Sequence, residues 1–183
     1  VKKRDLIPPL SEDEAWGSHA NRVLAFYESV FEAKTNGGPL KKLLGRIWGN
    51  GKKKTYKPEI FILRILGLFD RPAEFAAIKA LLSKPAIPQI TNQLSPLNQK
   101  EWKKATKHLQ DLNLLEDSED LDCHPLIREY FAQQLTTQHP AAWQEAHRRL
   151  YAHYKGIAKE LPDTLAEMEP LYRAMGHGCK AGL

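Results

Sequence analysis

Residues 98–131 read NQKEWKKATKHLQDLNLLEDSEDLDCHPLIREYF, and their reading decides the fold. Asn98 followed by Glu101 has capping-box spacing, in which the first side chain accepts from a free helical N–H and the acid reaches back. Trp102, Ala105, Leu109 and Leu112 then recur at three and four residues, which predicts a helix with one apolar stripe. Leu114, Leu115 and Glu116, then the polar Asp117-Ser118-Glu119-Asp120, then Leu121, Asp122 and Cys123 predict two very short strands around a turn. Pro125 suits a first helical position. It opens a helix to about Leu135, with Leu126, Ile127, Tyr130 and Phe131 facing inward.

Working outward, Pro58 starts a helix in which Ile60, Ile62, Leu63, Ile65, Leu66 and Leu68 fall on nearly all sides, the pattern of a helix buried in a core. Asp70-Arg71-Pro72 turns the chain into a second helix over 73–82, and Pro85, Pro88 and Pro96 punctuate the connection to the third. Three helices followed by a small hairpin form a winged-helix arrangement. Beyond it, Thr136-Thr137-Gln138-His139 is expected to break the chain, and Pro140 to begin a long helix. There Trp143, Ala146, Leu150, Tyr154, Ile157 and Leu161 hold helical period for about five turns. Pro162-Asp163 ends that helix and 165–175 supplies its partner. Such pairs suggest the opening of a helical-repeat array. Upstream, Ser18 is an N-cap for an amphipathic helix carrying Val23, Phe26, Tyr27, Val30 and Phe31, and the basic stretch 40–57 follows as a short helix and a loop.

Of 183 residues, 42% are hydrophobic and 27% charged, the composition of a globular chain of one domain or two small ones. No window reaches the roughly 18 apolar residues of a membrane span, and VKKRDLIPPL lacks the apolar stretch of a signal peptide, so a cytoplasmic location is expected. The opening Val1 and the closing MGHGCKAGL suggest a segment of a longer protein. Net charge is +5, set largely by the run at 41–57 rather than by a basic face throughout. Cys123 and Cys179 offer neither a disulfide framework nor zinc spacing and read as reduced structural thiols.

Catalytic signatures are not found. Gly51-Lys52 fails as a phosphate loop because position 46 is Arg and position 53 is Lys. His108, His139, His147, His153 and His177 contain no His-Glu-x-x-His and read as surface or packing residues. Cys123 beside His124 is an adjacency rather than a nucleophilic pair. Trp102, Trp143, Tyr151 and Tyr154 fall at helical spacing and read as core. Lys100, Lys103, Lys104 and Lys107 line the outer face of the third helix, where a DNA-binding winged helix meets the major groove. Glu116, Asp117, Glu119, Asp120 and Asp122 in the adjoining turn repel phosphates, so specific nucleic-acid binding is not expected.

At ILRILGLFDRPAE (62–74), PAIPQIT (85–91), HLQDLNLL (108–115), DCHPLIREYFAQQL (122–135) and AWQEAHRRLYAHY (142–154), the chain resembles the bacterial signal-transduction ATPases with numerous domains. These STAND proteins include NACHT and NB-ARC relatives. The resemblance implies that 1–57 are the tail of a nucleotide-binding helical subdomain plus a basic insertion. It also makes 58–136 a winged-helix domain and 137–183 the start of a tetratricopeptide-like (TPR-like) sensor region. The insertion 40–57 departs from the family's shorter connection. In the family a histidine, usually within a Met-His-Asp triplet, precedes the last winged-helix helix and contacts the β-phosphate of ADP. His124 takes that place, while Cys123 and Pro125 replace the flanking Met and Asp. A helix mouth favours anions through its unpaired N–H groups and its macrodipole.

The fold class expected is therefore mainly α: a winged-helix domain with a small β-hairpin, followed by the first helices of a TPR-like array. The resemblance implies a regulatory element that couples sensing to ADP/ATP-dependent switching in signalling or defence. Nucleotide and magnesium would be held in the intact protein and neither would be required by this segment, which is not itself an enzyme. Its implied partners are its own upstream nucleotide-binding domain, the downstream sensor repeats and an unidentified trigger, with oligomerisation on activation and no membrane. The alternative from the residues is a winged-helix DNA-binding regulator with a C-terminal helical dimerisation or effector module; a third is a structural helical-repeat adaptor.

Overall fold

The computed structural model describes residues 22–25 and 58–183. Residues 22–25 form a helical turn whose Leu24 joins the core. The rest of the helix expected upstream, with Ser18, and the basic stretch 40–57 lie outside the described residues.

Helix α1 (Pro58–Leu66) buries every residue from Glu59 to Leu66, as its all-round apolar pattern predicts. Its charged members are paired within the protein. Glu59 meets His108 at 2.7 Å, and Arg64 donates from Nε to Gln134 at 3.2 Å with its guanidinium over the Phe61 ring. Just past α1, a Cβ on Gly67 would stand 2.8 Å from the backbone nitrogen of Ala132 and 2.9 Å from the carbonyl carbon of Phe131. Only glycine permits this close approach.

Helix α2 (Phe75–Leu81) buries Ala77, Ile78 and Leu81. The connection onward drops Ile87, Ile90 and Leu94 into the core, and the Thr91 hydroxyl accepts from the Ile87 N–H at 2.7 Å. Helix α3 (Gln99–Asp111) carries the expected capping box: Asn98 accepts from the Glu101 N–H, and the Glu101 carboxylate accepts from the Asn98 N–H. Ala105 and Leu109 are buried, with Trp102 and Leu112 packed against the core. Asn113 leaves the helix at φ 56°, a left-handed conformation that Asn tolerates better than most residues.

The hairpin expected over 114–123 is not formed as strands; no strand is present among the described residues. One hydrogen bond, from Glu116 N–H to the Asp122 carbonyl at 2.9 Å, closes the turn. Leu121 instead makes an antiparallel bridge with Ala73, between α1 and α2, through bonds of 2.8 and 3.3 Å. The Asp122 carboxylate takes the Cys123 N–H at 2.7 Å and pairs with Arg128. Such side-chain bonds to the backbone compete with a ladder.

Helix α4 (Pro125–Gln138) outlasts its expected end at Leu135. The Thr136 and Thr137 hydroxyls donate back to the carbonyls of Ala132 and Gln133, each at 2.7 Å, so these residues stay in the helix until Pro140 forces a new start. Ile127, Phe131, Gln134 and Leu135 are buried, Tyr130 packs at the core's edge, and Leu126 is 43% exposed rather than inward.

Helix α5 (Pro140–Ile157) stops short of Leu161 because Ala158 is extended at ψ 140°. Ile157 and Leu161, at 56% and 79% exposure, are therefore not core. Helix α6 (Leu165–Ala181) runs beyond the expected 175 and ends at Gly182, φ 75°. There the Gly182 and Leu183 N–H groups bond the Cys179 and Gly178 carbonyls, a Schellman closure. Helices α5 and α6 form a tightly packed pair, and α5 also lies against α2 and α4. The buried apolar residues make one cluster from Leu24 through α1–α4 to Ala174. No helix among the described residues is long and apolar enough to cross a membrane.

Candidate functional site

His124 is exposed at the mouth of α4. Its Nδ1 accepts from the Leu126 N–H at 3.2 Å, and its carbonyl accepts from Ile127 at 2.9 Å and Arg128 at 3.4 Å. Pro125 has no N–H to offer. The unpaired N–H groups expected at this helix mouth are thus all engaged by His124 itself. What remains is one donor. With Nδ1 accepting, a neutral ring carries its proton on Nε2, which leaves that N–H for a ligand oxygen. Cys123 is buried while His124 is exposed, and burial, with the Glu116 charge, pushes the thiol up to about 12. This thiol stays protonated and is a packing residue.

The described residues fit a nucleotide only in part. They supply the single donor of His124, but no backbone cradle at α4. Among them no three His, Cys, Asp or Glu side chains are grouped to hold a metal ion. Gly51 and Lys52 lie outside the described residues.

On α3, Lys100, Lys103, Lys104 and Lys107 are all exposed, and Lys107 pairs with Asp111 at 3.3 Å. The neighbouring turn exposes Glu116, Asp117, Glu119 and Asp120, so the two surfaces carry opposite charge side by side.

Neither a family model, nor a curated protein, nor a solved structure matches this chain.

The junction between α1–α4 and the α5–α6 pair holds the most elaborate side-chain arrangement. Helix α2 is gripped at both ends. At its start, Glu74 pairs with Arg173 of α6. At its end, Arg149 of α5 donates to the carbonyls of Leu81 at 3.2 Å, Ser83 at 2.7 Å and Pro85 at 2.6 Å, while Glu145 holds its Nε at 2.9 Å. Arg71 reaches Glu169 of α6 at 2.8 Å. Between these anchors His147 and His177 meet inside the protein. The sequence reads both as surface or packing residues and does not set them against each other. The one sequence signal is that His147 lies four residues after Trp143 and three before Leu150, on the apolar stripe of α5.

Proposed function

We propose that this chain is the regulatory winged-helix and sensor-proximal part of a STAND-type ATPase, acting in the cytoplasm to couple a sensed trigger to ADP/ATP-dependent switching. In this reading residues 58–136, comprising α1–α4 and the 112–124 turn, are a reduced winged helix, with the Ala73–Leu121 bridge standing where its small sheet belongs. Helices α5 and α6 begin the TPR-like sensor. The observation that carries the proposal is the grip on α2: Arg149 and Arg173 tie both of its ends to the sensor-proximal helices, so a displacement of those helices is transmitted to the whole helical unit. Nucleotide and magnesium would be held by an upstream module, to which His124 would offer its Nε2–H as a donor for a phosphate oxygen; a donor engaged in one state and not in the other would separate the off and on states.

His124→Asn in the full-length gene product is the test. Asn is among the best N-caps, so the cap on Leu126 is kept while the longer-reaching Nε2–H is lost. A hydrogen bond to a charged group contributes roughly 1.5–3 kcal/mol, so ADP affinity is expected to fall about tenfold to a hundredfold and basal signalling to rise. Unchanged ADP retention contradicts the role of His124. The exposed lysines of α3 favour one second reading, a DNA-binding regulator. Duplex binding that persists at physiological salt and is lost in Lys103→Ala supports that reading instead; retention by charge alone fades steeply with salt.

A further inference from the structure

His147 of α5 and His177 of α6 are buried with their Nδ1 atoms 2.8 Å apart. Two ring nitrogens share a hydrogen bond only when one is protonated and the other bare. His147 Nε2 is buried without a partner. Orphaned buried N–H groups are rarer than orphaned acceptors, which assigns the bare nitrogen to that Nε2, the shared proton to His147 Nδ1, and the accepting role to His177. Aromatic rings enclose the pair. Trp143 stands edge-on to His147 at 4.1 Å, Tyr154 stacks on His177 at 5.5 Å, and Phe69 meets His177 edge-on at 6.1 Å. Phe69 belongs to the turn after α1, so the pair sits where the α5–α6 hairpin meets the helical unit.

We infer that the His147–His177 pair is a proton-sensitive latch, closed while both rings are neutral, whose protonation loosens the α5–α6 hairpin from the helical unit. A first added proton places a full charge in an apolar pocket where Nε2 of His147 has no acceptor. A second turns both Nδ1–H groups on each other. The facing charges are defined. From α6, Lys180 and Arg173 oppose an imidazolium; from the turn after α1, Asp70 favours one at His177. Tyr154 of α5 offers a neutral phenol to which Arg173 donates, and Glu74 and Glu169 are engaged by the same arginine. Burial is the largest influence. It brings His147 from 6.5 to about 3, helped by the charges of His177 and Lys180, and His177 to about 4, helped by Lys180. In an opened hairpin both rings titrate at their ordinary value, so the open form binds protons first as pH falls. The latch is therefore complete above about pH 6.5 and is lost as pH falls toward 4. This holds whether or not the chain works beside a nucleotide.

Amide hydrogen exchange of the 183-residue chain at pH 7.5 and 5.5, corrected for intrinsic exchange, tests the latch. Two sites that titrate only in the open form raise the opening equilibrium of α5–α6 about a hundredfold over that interval. Helix α1 is the internal reference and is expected to change less. His177→Gln is expected to leave a rise of about tenfold, and the His147→Gln/His177→Gln double variant no rise. His139 and His153 stay in every variant. A wild-type hairpin whose opening does not rise with acid, or a double variant that keeps the rise, overturns the inference. Imidazole NMR signals of the wild type give a second readout that needs no variant: both rings stay neutral to pH 5.5, and a buried ring that protonates near 6.5 in the folded chain also overturns it.

Discussion

Helix α1 buries every residue from Glu59 to Leu66, whereas α5 buries Ala146, His147, Leu150 and Tyr154 and leaves Ile157 exposed. The contrast extends to what holds each in place. Around α1 the contacts are chiefly apolar and close, with Gly67 admitting the backbone of α4. The α5–α6 hairpin shares that core through Ala146, Leu150, Tyr154 and Ala174, but its attachment to α2 runs through guanidinium groups, carboxylates and carbonyls, and a histidine pair joins its two helices beside Phe69. Apolar packing depends little on pH or salt, while charged contacts respond to both. The hold of the helical unit is therefore expected to be little changed by pH and salt, and that of the hairpin to vary with both.

The largest effect should come from breaking the first region. Phe131, 1% exposed, packs where α4 meets Gly67. Phe131→Ala is expected to cost about 3–5 kcal/mol, read from urea unfolding, with loss of α1 and α5 together because they share one core.

Arg149→Met should act next, and on the second region alone. It keeps the aliphatic stem of a largely buried side chain and removes its bonds to the Leu81, Ser83 and Pro85 carbonyls. Bonds to a charged donor contribute about 1.5–3 kcal/mol. Exchange protection should fall by that amount in α5–α6 and at the end of α2, with α1 little changed. Equal loss in α1 would erase the distinction between the two regions.

Legibility in the sequence follows how local each signal is. Helices α1 and α3 could be read because their signals are local: Pro58 with an all-round apolar run, and Asn98 with Glu101. The 114–123 segment has the pattern of a hairpin, which is also local, yet Leu121 pairs with Ala73, far back in the chain. Thr136 and Thr137 resemble breakers but bond back within α4, and the helix expected over 165–175 continues to Ala181 before Gly182 ends it. His124 is legible as the residue at the mouth of α4. That it would consume the N–H groups of its own helix mouth is not, since this depends on backbone geometry. The His147–His177 contact joins two helices and leaves no spacing to read.

The smallest effect belongs to a local signal. Asn98→Ala removes the cap at the start of α3 and is expected to cost about 1 kcal/mol, lowering the melting temperature slightly. Its effect on α5–α6 exchange should match that on α1. A selective effect on the hairpin would mean that α3 takes part in holding it.

The proposed coupling through α2 of the hairpin to the helical unit that carries His124 is tested most directly by ADP release from the full-length gene product carrying Arg149→Met. Arg149 grips the end of α2 and lies apart in the chain from His124. If the coupling holds, ADP should leave faster than from wild type although His124 is intact. Release at the wild-type rate, with hydrogen exchange confirming that α5–α6 has loosened, would contradict it.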